Sequence, residues 1–290
     1  MDRHIIAAGD ISANVRGLGA ELTSFKAHGR ELLWQAGPAW PRHAPVLFPI
    51  VGRLRDDRLL HHGHDYRLTQ HGFARDRQFA WTEAKPHSCT LTLRDDAATR
   101  ALYPFAFQFQ MAFEIEDNAL TVTHSVANPG PETLPFSMGG HPAFRWPLAE
   151  GVAKDAHRLV FEADETAPLP RLDGGLLGPA DKPSPIHHRV LHLNEALFAE
   201  DALILTKPSS RWVRFEAPGA AGIEMRWHGF PSFGIWMRPG GDFLCLEPWY
   251  GMASPADWSG EFKNKPGLAL LAPGARLEAS YSLRVLEPSA

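Results

Sequence analysis

Two short segments set an ionisable side chain against a proline among apolar residues. One is Met138-Gly139-Gly140-His141-Pro142-Ala143-Phe144, the other Leu244-Cys245-Leu246-Glu247-Pro248-Trp249. An imidazole titrates near pH 6.5 and can give or take a proton at neutral pH. A carboxylate at the end of an apolar strand is costly to bury unless something pairs with it or uses it. Trp236 and Trp249 lie close to Glu247 in sequence and offer the aromatic surface that suits the C–H face of a sugar. Two further residues have unusual settings. His71 is followed by Gly72 in Gln70-His71-Gly72-Phe73-Ala74-Arg75-Asp76, which permits close approach to the backbone. Arg53 ends Leu47-Phe48-Pro49-Ile50-Val51-Gly52-Arg53, where its fork of donors fits hydroxyl or phosphate oxygens. Arg55, Arg58, Arg75 and Arg77 make this neighbourhood basic and keep a phosphorylated ligand in view. Each residue also has a plain structural reading: a strand-end glutamate facing water, an arginine capping a sheet edge, a histidine packed beside small residues.

The other candidates are weaker. Of fifteen histidines, His61, His62 and His64 lie in a turn-like His-His-Gly-His-Asp stretch. No cysteine or glutamate completes a familiar metal-ligand spacing there, so they read as solvated loop residues and no metal site is assigned. His187-His188 reads the same way. His124 keeps step with Leu120 and Val122, which predicts a hydrogen-bonded histidine on an inner sheet face. Cys89 and Cys245 allow one bridge at most, and neither has the setting of a nucleophile. Phosphate-binding glycine loops, Gly-x-Ser-x-Gly elbows and Cys-x-x-Cys pairs are absent.

The elements that must position these residues read as strands. Phe105, Phe107, Phe109, Met111, Phe113 and Ile115 alternate with polar residues, a two-residue period that predicts one long half-buried strand. Asp117-Asn118 supplies a turn, after which Leu120, Val122 and Val126 resume the alternation. The same period runs from Ala275 to Val285. Shorter strands are expected at 89–94, 158–161, 190–193, 202–206, 212–217, 223–227, 233–237 and 243–247. Pro-Gly pairs at 129–130, 218–219, 239–240 and 273–274 punctuate them, and Gly and Pro number 25 each. No long amphipathic helix or internal repeat is evident. Residues 164–185 read as an irregular excursion of the kind that borders binding sites.

The expected architecture is all-β, a large antiparallel β-sandwich forming one domain over 1–290. Hydrophobic residues make up 44% and the net charge is −4. A sizeable core is therefore available, and nothing draws the chain to nucleic acid or an anionic membrane. No apolar run approaches the roughly 18 residues of a membrane span, and the amino-terminal residues have no secretory apolar region. A cytoplasmic location is expected. Nothing in the sequence indicates an oligomeric state.

Taken together, the segments at 47–53, 71–75, 139–144 and 247–251 resemble the aldose 1-epimerase (galactose mutarotase-like) family, in family order. The match is to its bacterial branch carrying Gly-Gly-His-Pro-Ala-Phe and Glu-Pro-Trp-Tyr-Gly. Asp201 to Leu205 and Lys265-Pro266-Gly267 are further matching features. The resemblance implies a single-domain β-supersandwich with an open carbohydrate cleft and no metal or organic cofactor. It implies that His141 protonates the ring oxygen of an aldose and Glu247 takes the proton of the anomeric hydroxyl. Arg53, His71 and Asp201 match sugar-contacting positions, and Trp249 joins them as an aromatic platform. Galactose mutarotases carry an asparagine before and Tyr-Phe after the acid histidine, where Gly140 and Pro142-Ala143-Phe144 stand here. The substrate is therefore not implied to be galactose. The expected activity is aldose 1-epimerisation. A hexose-6-phosphate 1-epimerase, a non-catalytic carbohydrate-binding protein on the same fold, and a histidine-rich metalloenzyme are the alternatives.

Overall fold

In the computed structural model, residues 1–288 are described; the last two positions of the 1–290 span lie outside the described residues. Nine antiparallel strands form the larger sheet, in the order Val190–His192, Arg158–Phe161, Trp212–Glu216, Gly222–His228, Arg276–Leu286, Ala119–Ala127, Gln108–Glu116, Ser88–Arg94 and Ala80–Ala84. A second sheet orders Leu203–Leu205, Ser232–Trp236, Phe243–Tyr250, Met138–Gly140 and Val46–Leu47, with Ala143–Arg145 also pairing to Phe243–Tyr250. An amino-terminal sheet of four strands, from Arg3–Ala8 to Arg30–Glu31, accompanies them. No helix among the described residues is long and apolar enough to cross a membrane.

The two main sheets share one core because alternation turns one face of each inward. Phe109 and Met111 are fully buried on the larger sheet, and the Phe109 ring stacks on Phe48 at 4.6 Å. The sheets approach so closely at Gly140 that a Cβ there would lie 2.7 Å from the Tyr281 ring. The sheet carrying His141 and Glu247 is thus backed by a packed aromatic layer.

Two expected boundaries shift by three residues. The Phe105–Ile115 alternation enters the sheet only at Gln108. Its neighbour Ser88–Arg94 ends there, and the one-turn helix Ala97–Arg100 follows, with the Thr99 N–H donating to the Asp96 side chain at 2.7 Å. Phe105 and Phe107 stay buried outside the strand, with the Phe107 N–H donating to the Asp95 side chain at 2.9 Å and its carbonyl accepting from the Asp95 N–H at 3.2 Å. The strand expected over 243–247 runs on to Tyr250 through Pro248.

His124 lies on the inner face as expected and is fully buried, but its ring nitrogens lack the expected hydrogen-bond partner. Burial holds its pKa down to about 3. An unfolded chain takes up a proton near pH 6.5 that the fold refuses, so this residue lowers stability progressively as pH falls from about 6.5 towards 3. His124→Leu is expected to reduce the acid dependence of the urea midpoint by up to one proton, about 1.4 kcal/mol per pH unit. An unchanged slope between pH 6.5 and 5 would show that His124 is not the proton-refusing group.

Candidate active site

The histidine segment and the glutamate strand run antiparallel, and their register brings the two motifs together. Gly139 pairs with Trp249 and Ala143 with Cys245. Counting inward from both pairs puts His141 opposite Glu247, so their side chains leave the sheet on the same face. Pro142 lies opposite Leu246, whose N–H donates to the Pro142 carbonyl at 3.2 Å. Pro248 falls on the same seam opposite Gly140. Each proline removes one ladder donor, so the regular pairing is interrupted where the two ionisable residues meet. On its other side Glu247 pairs with Gly234, over which the Trp249 indole lies so closely that a Cβ would collide with it.

His141 Nε2 stands 3.2 Å from Glu247 Oε2. Both residues are buried, at 6% and 1% exposure. Trp40 stacks on the His141 ring at 5.0 Å, and Trp236 and His71 meet it edge-on, each at 5.7 Å. Desolvation disfavours charge on either partner. It lowers His141 to about 3, with Arg75 and Arg42 adding to the effect and a backbone bond opposing. Burial drives Glu247 well above the usual carboxylate range, with the Trp249 indole opposing and the charge of Asp201 adding to it. Both directions describe a pair that keeps one proton between two bases across a wide pH range.

His71 is held by the backbone on both sides. Its N–H donates to the Gly52 carbonyl at 2.9 Å, and the Gly52 N–H donates to His71 Nδ1 at 3.2 Å. The neutral ring therefore carries its proton on Nε2. Burial, followed by the neighbouring His141 and then Arg75 and Arg42, pushes His71 well below its ordinary pKa. His71 has φ 65° and Gly72 φ 69°. This left-handed pair lets Gly72 sit against the Phe48 carbonyl, where any Cβ would clash.

These groups open onto a cavity of about 580 Å³, within the roughly 300–1,000 Å³ of small-ligand sites. His71, His141, Asp201, Glu247 and Trp249 all line it. Arg53 does not. Its Nε donates to Asp57 at 2.8 Å, which turns it along its own loop. Arg75 supplies the guanidinium on the wall, its Nη2 donating to the Gln70 carbonyl at 2.8 Å. Leu172 brings the irregular 164–185 excursion to the rim.

Trp40 also lines the cavity and was not legible as a site residue. It sits in an aperiodic proline-containing loop, where its N–H donates to the Gly37 carbonyl at 3.0 Å and the Trp34 indole N–H donates to its own carbonyl at 2.8 Å. The donor atoms of His141, Cys245 and Glu247 lie within 4.8 Å of one another, close enough for a metal. Burial, and then the Glu247 charge, hold the Cys245 thiol well above its ordinary pKa. A thiol kept protonated is a poor metal ligand.

A model of the aldose 1-epimerase family matches residues 2–214. The chain belongs to that family. The matched segment contains His71, His141 and Asp201 and ends before Glu247. Like this family member, a galactose mutarotase related enzyme from Lactobacillus acidophilus is built on the same fold, with TM-score 0.90 and 32% identity over 99% of this chain and 98% of its own. A galactose mutarotase-like protein from Lactobacillus casei superposes with TM-score 0.89 at 25% identity, covering 98% of this chain and 99% of its own. Chromosomal protein LacX of Lactococcus lactis is 29% identical over 95% of this chain and 97% of its own.

Proposed function

We propose that the protein is an aldose 1-epimerase that interconverts the α and β anomers of an aldose, as one domain and in the cytoplasm. The observation that carries this reading is the His141–Glu247 pair, 3.2 Å apart on one face of a sheet inside an aromatic-walled cavity. Anomer exchange requires the C1–O5 bond to open while a proton leaves O1 and another reaches O5. In this reading the shared proton, which burial places on Glu247, first crosses the 3.2 Å to His141; the carboxylate then takes the O1 proton while His141 delivers its own to O5. Rotation about C1–C2 presents the other carbonyl face. Closure then reverses the transfers, returning the proton to His141 and restoring Glu247 as the base. One proton shared by two bases is what this cycle needs, and only protons and one C–O bond change. Each positioned transfer contributes typically about 10²–10⁴-fold. His71, Asp201 and Trp249 are proposed to hold the sugar hydroxyls and ring face, with Trp40 behind the acid.

The test is polarimetry on freshly dissolved sugars, across aldohexoses, aldopentoses and their 6-phosphates. Accelerated approach to anomeric equilibrium is expected for at least one; binding without acceleration would favour a carbohydrate-binding protein instead. A sugar phosphate is the second reading, supported by Arg75 on the cavity wall and the exposed Arg238 at its edge. It predicts that glucose 6-phosphate outcompetes glucose and that its kcat/KM falls with added salt.

The pH dependence follows from the pair. Gain of a second proton is deferred to acid because His141 is lowered, and loss of the shared proton is deferred to alkali because Glu247 is raised. The expected kcat/KM is therefore flat through neutral pH, with neither limb near the free-imidazole value. An inflection close to pH 6.5 would mean that His141 titrates on its own.

A further inference from the structure

We propose that His61, His62 and Glu132 form a binding site for a divalent cation of the zinc class, away from the catalytic cavity. In sequence the His-His-Gly-His-Asp stretch had no cysteine or glutamate at a familiar metal-ligand spacing and read as solvated. The fold corrects this for His61, while His62 and His64 are exposed as expected. His61 is only 7% exposed, its ring packed at 4.5 Å on Phe105. Glu132 arrives from the loop ahead of Leu134–Phe136 to complete a three-residue donor set.

The geometry suits a cation better than a direct contact. Glu132 Oε2 lies 3.6 Å from His61 Nε2 and 3.7 Å from His62 Nε2, too far for a hydrogen bond to either. All three donor atoms lie within 4.8 Å of one another. A tetrahedral ion with bonds of about 2.0–2.1 Å separates its ligands by about 3.3 Å, so shifts of a few tenths of an ångström set the carboxylate at that spacing from each imidazole.

The scaffold is held before any ion arrives. The two histidines stand at the tip of the hairpin formed by Arg58–His61 and His64–Arg67. The Glu261 carboxylate accepts from the His62 N–H at 3.0 Å and the Gly63 N–H at 3.2 Å. Asn128 Nδ2 donates to the Glu132 carbonyl at 2.8 Å, fixing the opposite loop. The side chains of His62 and Glu132 are 67% and 47% exposed, which leaves an entry path and room for water as further ligands. A bound cation would tie the hairpin to the 128–134 loop, so its role is to staple the fold. His61 Nδ1 has no hydrogen-bond partner, so the outer support that sharpens structural zinc sites is missing and affinity is expected on the order of micromolar.

The test uses the full chain without an affinity tag, stripped of metal and titrated with zinc against a chromophoric chelator. One equivalent should bind, and His62→Ala and Glu132→Gln should each weaken binding at least tenfold; both side chains are exposed enough to be replaced without disturbing the core. A hundredfold excess of zinc over its Kd should raise Tm by about 5 °C in the parent and by no more than about half of that in either variant. Absence of stoichiometric binding overturns the proposal. So does binding that both variants retain, including uptake at His141, Cys245 and Glu247, which would announce itself as inhibition of the parent's anomerisation.

Discussion

Glu247→Gln is expected to lower kcat for anomerisation by about 10²–10⁴-fold while leaving KM nearly unchanged. The amide keeps the shape of the carboxyl group and loses the ability to take the O1 proton. Little structural disturbance is expected, because Glu247 is 1% exposed, its burial already favours the neutral form, and Oε2 accepts no hydrogen bond. Replacing a group of this kind by a neutral isostere removes chemistry rather than support. Circular dichroism and Tm should therefore match the parent within a few degrees, so that the rate loss belongs to the reaction. A variant with near-parental kcat would remove Glu247 from the proposed proton cycle, and a large rise in KM alone would make it a binding residue.

His141→Asn is expected to reduce kcat by a similar factor, since the second half of the same transfer is lost. The smaller side chain gives up the stack on Trp40 at 5.0 Å and leaves space beside Trp236, so a modest loss of stability is expected with it. The informative comparison is the double variant. Two residues that share one proton act as a unit, and their effects do not add. The doubly substituted protein should be about as slow as either single variant. Multiplicative losses would show that the residues act in independent steps.

Much of the sheet was legible because alternation is a local property. The strand Arg158–Phe161 begins and ends where its residues alternate, and Gly222–His228 extends the expected span by one residue at each end. Its limits show at Phe105 and Phe107, which keep the period of a strand but lie beyond the regular ladder, because Ser88–Arg94 has ended and the Asp95 side chain takes the Phe107 N–H. The site was legible in its residue types and not in its walls. A histidine and a glutamate each beside a proline are visible in the chain; that they face one another depends on the register of Ala143 with Cys245, which no single segment encodes. Arg53 illustrates the reverse case. Its place at the end of an apolar run suggested a ligand contact, but Asp57, four residues on, claims its guanidinium, and Arg75 takes the cavity wall. Glu132 beside His61 was equally out of reach, since only the packing of a hairpin on a distant loop brings them together.

The most direct measurement is a crystal structure of the Glu247→Gln variant with a bound aldopyranose. The account predicts the ring lying between the two side chains, with O5 within hydrogen-bonding distance of His141 Nε2 and O1 within the same distance of the side chain at position 247. A sugar bound in this cavity with its C1–O5 bond turned away from both residues, or bound elsewhere on the molecule, would contradict it.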